Sequence, residues 1–146
     1  MAAALVPVMT LADMRAFFDA AFPGSGASAT QVAEIGPGRA LVTLDPVEAN
    51  LRPGNLVSGP SQMGLADHAA YVVILAHIGP VAMAVTTNLN YSFMRGAKFE
   101  RVWAEARLLR LGRRLATVDV LVWQDERARP VGQATVTYAL PDAGSA

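Results

Sequence analysis

The sequence predicts an α+β fold: one long central helix wrapped by a curled antiparallel sheet, with a shorter helix ahead of both. Three observations carry this. In residues 58–79 only Asp67, His68 and His77 can carry charge near neutral pH, so a helix there is apolar on nearly every side. Four later segments, 81–95, 97–111, 114–124 and 130–140, alternate at period two and are rich in Val, Thr and aromatics. Their separators are short and hairpin-like. A helix apolar on all faces needs cover on all faces, and a sheet can supply it.

The 146 residues are 53% apolar, with 12 basic and 12 acidic side chains, no cysteine and two histidines. One domain over residues 1–146 is expected, with a helix and turn in 1–28 and the core in 30–141. The absence of cysteine excludes disulfides, a thiol nucleophile and thiolate metal sites. Two histidines give no basis for a metal centre, and none is expected. Zero net charge argues against a nucleic-acid partner. Charge is uneven all the same: residues 95–114 hold seven basic side chains against Glu100 and Glu105. The apolar opening, residues 1–9, lacks a basic flank and contains Pro7. The uncharged run from Ala69 to Ala76 is far below the roughly 20 residues of a membrane span. A soluble, cytoplasmic protein without a membrane partner is the expectation.

In chain order, Thr10 can cap a first helix, with Asp13 placed for a capping box. Leu11, Met14, Phe17, Phe18, Ala21 and Phe22 recur at helical spacing, and Pro23-Gly24-Ser25-Gly26 stops them. Residues 30–45 read as a strand pair or a bulged strand about Gly36-Pro37-Gly38. Residues 46–59, with Pro46, Pro53, Gly54 and Gly59, read as a long loop, and long loops often carry function. Ser58 or Gly59 caps the long helix, Pro60 fits its first turn, and Gly79-Pro80 ends it. Trp103 and Trp123 fall in strands and read as core or interface residues.

Three motifs in order carry a resemblance. They are Ser58-Gly59-Pro60-Ser61-Gln62-Met63-Gly64-Leu65-Ala66-Asp67, then Thr87 to Ala97 with its Ser92-Phe93-Met94-Arg95, then Leu111-Gly112-Arg113-Arg114-Leu115-Ala116. Over about residues 45–140 the chain resembles the hot-dog fold acyl-CoA thioesterases of the phenylacetyl-CoA type. Ser58 stands where that family has His, Pro60 where it has Gly, and Gly96 where it has Pro. The resemblance implies hydrolysis of an acyl-CoA thioester, with coenzyme A present only as part of the substrate and no other cofactor. It implies Asp67 as base or nucleophile and the Gly59 N–H as oxyanion donor. It also implies a Ser or Thr at Thr86 or Thr87 that positions water; Thr87 is taken as the catalytic one. A family asparagine ahead of the helix has Asn50 and Asn55 as candidates, Asn55 being placed with the substrate. A homodimer or homotetramer with sites at the dimer interface is implied as well.

The residue types suit that chemistry. A helix N-terminus offers unused N–H groups and a positive dipole end to a developing oxyanion. A glycine there admits close approach. Asp67, two turns on among apolar neighbours, is expected to have a raised pKa, as suits a base. Gly59 and Asp67 lie about 12 Å apart along a helix, too far to flank one carbonyl within a chain. His77 sits at the helix end, where a cation is favoured. Ser58, Pro60, Met63 and Tyr71 are taken as substrate-binding, with Met63, Tyr71 and Phe93 the candidates for lining an acyl pocket, and Arg95, Arg113 and Arg114 are placed with the coenzyme A phosphates. Two other readings stay open. One is a hydratase or dehydratase using His68 beside Asp67, and the other is a non-catalytic hot-dog protein that binds acyl-CoA.

Overall fold

The structure is a computed structural model that describes residues 5–24 and 29–142. Residues 1–4 of the apolar opening, Ser25 and Gly26 of the first turn, and 143–146 lie outside the described residues. The first helix, α1 (Leu11–Ala21), forms as expected. Thr10 Oγ1 accepts from the Asp13 N–H at 3.1 Å, and Asp13 Oδ2 accepts from the Thr10 N–H at 2.9 Å. Met14 of α1 is wholly buried.

Strands β1 (Thr30–Gly36) and β2 (Arg39–Leu44) form a hairpin with a bulge between Val32 and Glu34. The expected long loop holds more structure than its composition promised: a 3-10 turn at Glu48–Asn50, then two-residue strands β3 (Leu51–Arg52) and β4 (Leu56–Val57). The turn joining β3 to β4 has positive φ at Gly54 and at Asn55. The long helix is α2 (Gly59–Ile78), capped by Ser58, whose Oγ accepts from the Ser61 N–H at 3.2 Å. Four strands follow: β5 (Val85–Phe93), β6 (Val102–Leu111), β7 (Leu115–Trp123) and β8 (Gly132–Ala139).

Six strands make one antiparallel sheet in the order β1-β2-β6-β7-β8-β5, and α2 contacts all six. Alternation explains the inner face. Ala104 and Ala106 on β6, Val118, Val120 and Val122 on β7, and Ala134 and Val136 on β8 are fully buried against the helix. Small Ala and Val side chains let sheet and helix approach closely, and the buried stripe of α2 from Ala69 to Ala76 fills the space.

One expectation fails here. Residues 81–140 are not four successive hairpins. β5 pairs with β8, and β6 is flanked by β2 and β7. Arg95-Gly96-Ala97 is therefore part of a crossover between distant strands. Alternation reports which face a residue occupies and says nothing about which strand lies beside it. The crossover is anchored locally: the Val57 N–H donates to the Ala97 carbonyl at 2.8 Å, and Gln124 Oε1 accepts from the Lys98 N–H at 2.9 Å. A second correction concerns α2, which is not covered on every side: Met63 and Gly64 are exposed, and Asp67 and His68 are half-buried.

His77 is also not the exposed cation of a helix terminus. It is 8% exposed. Its Nε2 accepts from the Gly38 N–H at 2.9 Å, and its Nδ1 lies 2.7 Å from the Val73 carbonyl. That geometry requires the neutral tautomer with the proton on Nδ1. The ring ties the β1–β2 turn to the last turn of α2.

Candidate functional site

Gly64, Asp67, His68 and Tyr71 recur at helical spacing and form one stripe of α2. The stripe lines a cavity of about 1060 Å³. Arg15, Phe18 and Asp19 of α1, Phe22 just after it, Val32 of β1, Thr86 of β5 and Tyr138 of β8 are also among its lining residues. The Phe18 ring packs 4.9 Å from the His68 ring, tilted by 42°, and the Tyr71 hydroxyl donates to the Ala82 carbonyl at 3.1 Å.

Asp67 on that stripe is held by two hydroxyl groups. Thr86 Oγ1 donates to its Oδ1 at 2.6 Å, and the Tyr138 hydroxyl donates to the same oxygen at 2.8 Å. No hydrogen bond from the described residues reaches Oδ2. One oxygen is thus held by two donors, and the other keeps its lone pairs for a ligand. Burial lowers the pKa of His68, and the neighbouring Asp67 charge opposes that shift. No hydrogen bond joins His68 to Asp67.

A β-bulge decides which threonine serves Asp67. In the β5–β8 ladder Thr86 faces Tyr138 and Asn88 faces Thr137, which leaves Thr87 as the extra residue. Simple alternation back from half-buried Tyr91 and Leu89 would turn Thr87 inward. The bulge reverses that parity. Thr87 instead donates to the Thr137 carbonyl at 3.2 Å. Thr87 is therefore outside the Asp67 cluster, and Thr86 takes its place.

The other site residues scatter. Gly59 does not line the cavity; a Cβ there would meet Phe93 Cζ at 3.2 Å. In the first turn of α2, Pro60 has no N–H, that of Ser61 is taken by Ser58 Oγ, and that of Gln62 by the Ser58 carbonyl at 3.1 Å. The Gly59 N–H has no hydrogen-bond partner among the described residues. Asn55 is exposed at the β3–β4 turn, whereas Asn50 reaches the helix start through Nδ2 to Ser61 Oγ at 3.2 Å. Asn50 rather than Asn55 thus contacts the first turn of α2. Pro60 is exposed, and so is Met63, which lies outside the cavity lining.

The arginines part company as well. Arg95, with Lys98 and Arg129, borders a smaller hollow of about 300 Å³. Arg114 pairs with Asp142 at 3.1 Å, and Arg113 is exposed. Sequence reasoning missed Tyr138, which reads as one more aromatic in an alternating strand. No His/Cys/Asp/Glu cluster suited to a metal occurs among the described residues. None of their helices is long and apolar enough to cross a membrane.

With this geometry in hand, the comparisons define the class. The chain belongs to the thioesterase superfamily, whose family model matches residues 54–131. A Deinococcus radiodurans protein provisionally named an esterase is 33% identical over 96 residues, which is 65% of this chain and 57% of that protein. The match thus spans little more than half of that relative. The crystal structure of a protein from Silicibacter sp. TM1040, provisionally named a thioesterase, is 36% identical. That match covers 94% of this chain and 95% of the other, with a TM-score of 0.84. A variant of the phenylacetic acid degradation protein PaaI from Thermus thermophilus is 27% identical, covering 82% of this chain and 99% of that one, with a TM-score of 0.70. The hot-dog architecture expected from the three motifs is the architecture found.

Proposed function

We propose that this chain is an acyl-CoA thioesterase in which Asp67 acts through Oδ2. The observation that carries the reading is a half-buried carboxylate in the wall of the large cavity, with one oxygen held and the other unengaged. Acting as base, Asp67 takes a proton from water, and the oxygen attacks the thioester carbonyl carbon. The C–S bond then breaks, the thiolate leaves and is protonated, and the free acid remains. Acting as nucleophile, Asp67 attacks the carbonyl itself, the C–S bond breaks as the thiolate leaves and takes up a proton, and water then hydrolyses the resulting anhydride to the free acid and the restored Asp67 carboxylate. Either route uses coenzyme A only as part of the substrate.

The Gly59 N–H is the proposed oxyanion donor, and removal of such a donor costs about 3–4 kcal/mol in the transition state. Gly59 lies outside the Asp67 cavity of its own protomer. A partner chain that brings its Gly59 to this Asp67 would complete the site, which is the reason to propose a homo-oligomer. β5 supports it: the strand ends the sheet, and Val85 and Phe93 on it are 52% and 54% exposed. An open, partly apolar edge is a ready template for a second copy. The Arg95–Lys98–Arg129 hollow adjoins β4 and the start of α2 through the Leu56–Lys98 bridge, so phosphates arriving there would lie beside the proposed oxyanion end.

The test is thiol release from short, medium and aromatic acyl-CoAs with wild type and Asp67→Asn in parallel. Turnover lost in the variant supports the reading. Binding of coenzyme A without turnover of any thioester overturns it in favour of a binding protein.

A further inference from the structure

We propose that Tyr138 is a positioning residue for this site: it fixes Asp67 through Oδ1 and so selects Oδ2 as the reacting oxygen. The proposal rests on the thioesterase reading. Tyr138 lies on β8, is 3% exposed, and its hydroxyl is 2.8 Å from Asp67 Oδ1 and 3.1 Å from the Asp67 carbonyl oxygen. Thr86 and Tyr138 are direct partners in the β5–β8 ladder, so one cross-strand pair delivers two hydroxyls to a single carboxylate oxygen. The Tyr138 ring is itself held, 6.0 Å from that of Tyr71.

The electrostatics agree with a fixed donor. Burial raises the pKa of the hydroxyl far above that of a free tyrosine; the neighbouring Thr86 hydroxyl opposes this and the Asp67 charge adds to it. Tyr138 therefore keeps its proton and serves as a donor, never as the base. Two donors on Oδ1 also remove the rotational freedom of the carboxylate, so Oδ2 meets water or the thioester in one orientation.

The experiment compares wild type, Asp67→Asn and Tyr138→Phe with one acyl-CoA that turns over, separating kcat from KM. Loss of the hydroxyl should lower kcat about 10-fold or more while KM stays within about twofold. A purely structural tyrosine would instead leave kcat unchanged in the folded variant, and that result overturns the proposal. If Tyr138→Phe fails to fold, a fluorinated tyrosine at 138 keeps the shape and alters the donor strength. A changed kcat at constant KM then supports the proposal, and an unchanged kcat overturns it. Wild type without turnover overturns the thioesterase reading and this proposal together. An active wild type beside an equally active Tyr138→Phe overturns this proposal alone.

Discussion

Thr86 donates its hydroxyl to Asp67 Oδ1 at 2.6 Å, across 19 residues of chain. The contact exists because a bulge at Thr87 turns Thr86 inward. Thr86→Val should lower kcat about 10- to 100-fold, the range for a hydrogen bond to a charged group. Thr87→Val should stay within about twofold of wild type, since its hydroxyl reaches only the Thr137 carbonyl. Steady-state kinetics on the two variants check this, and equal losses would show that the bulge does not select the threonine.

His68 makes stability depend on pH. Its folded pKa is lowered from 6.5 by burial, so below that value the unfolded chain binds a proton that the folded chain resists. Stability should therefore fall as pH drops below 6.5 toward the lowered folded value. Denaturant unfolding between pH 8 and 5 should show a shallower decline in His68→Phe, which keeps the packing on Phe18 and lacks the proton site.

Gly132 has no room for a side chain. A Cβ there would lie 2.2 Å from the Tyr91 hydroxyl oxygen and 2.4 Å from its ring. Tyr91 cannot yield freely, because its hydroxyl donates to Gln62 Oε1 at 2.9 Å near the start of α2. Gly132→Ala should cost about 1–3 kcal/mol through overpacking and lower Tm accordingly. Thermal melts of this variant beside Gly64→Ala give the contrast, since a Cβ at Gly64 meets nothing within 4 Å.

His77 closes the far end of the helix. His77→Leu removes the acceptor of the Gly38 N–H, and loss of this partly buried hydrogen bond should cost about 1 kcal/mol. Amide exchange at Gly38 should accelerate by the corresponding factor while thioester turnover remains near wild type.

Much of the architecture was legible because each element is marked by local rules. Thr10 and Asp13 announce α1, Ser58 and Pro60 open α2, and alternation in 115–123 gives the faces of β7 correctly. Sheet order was not legible, because the pairing of β5 with β8 is a long-range choice that leaves no period in either strand. Asp67 was marked by its motif. Thr86 and Thr87 were both candidates, and the choice between them was hidden by a bulge, which alternation cannot register. Tyr138 was hidden because its hydroxyl matters only once β8 lies across Asp67. Asn50 was passed over for Asn55, whose positive φ shows that it serves the turn.

The pairing of β5 with β8 also sets an order of events during synthesis. Tyr138 follows Asp67 by 71 residues, and it lies on the strand that β5 must await. A nascent chain that has completed α2 and β5 therefore holds Asp67 without its full clamp and β5 without its neighbour, a state open to wrong pairing. Emergence of the β8 strand ends both conditions at once, because the strand that gives β5 its neighbour is also the one that brings the Tyr138 hydroxyl to Asp67.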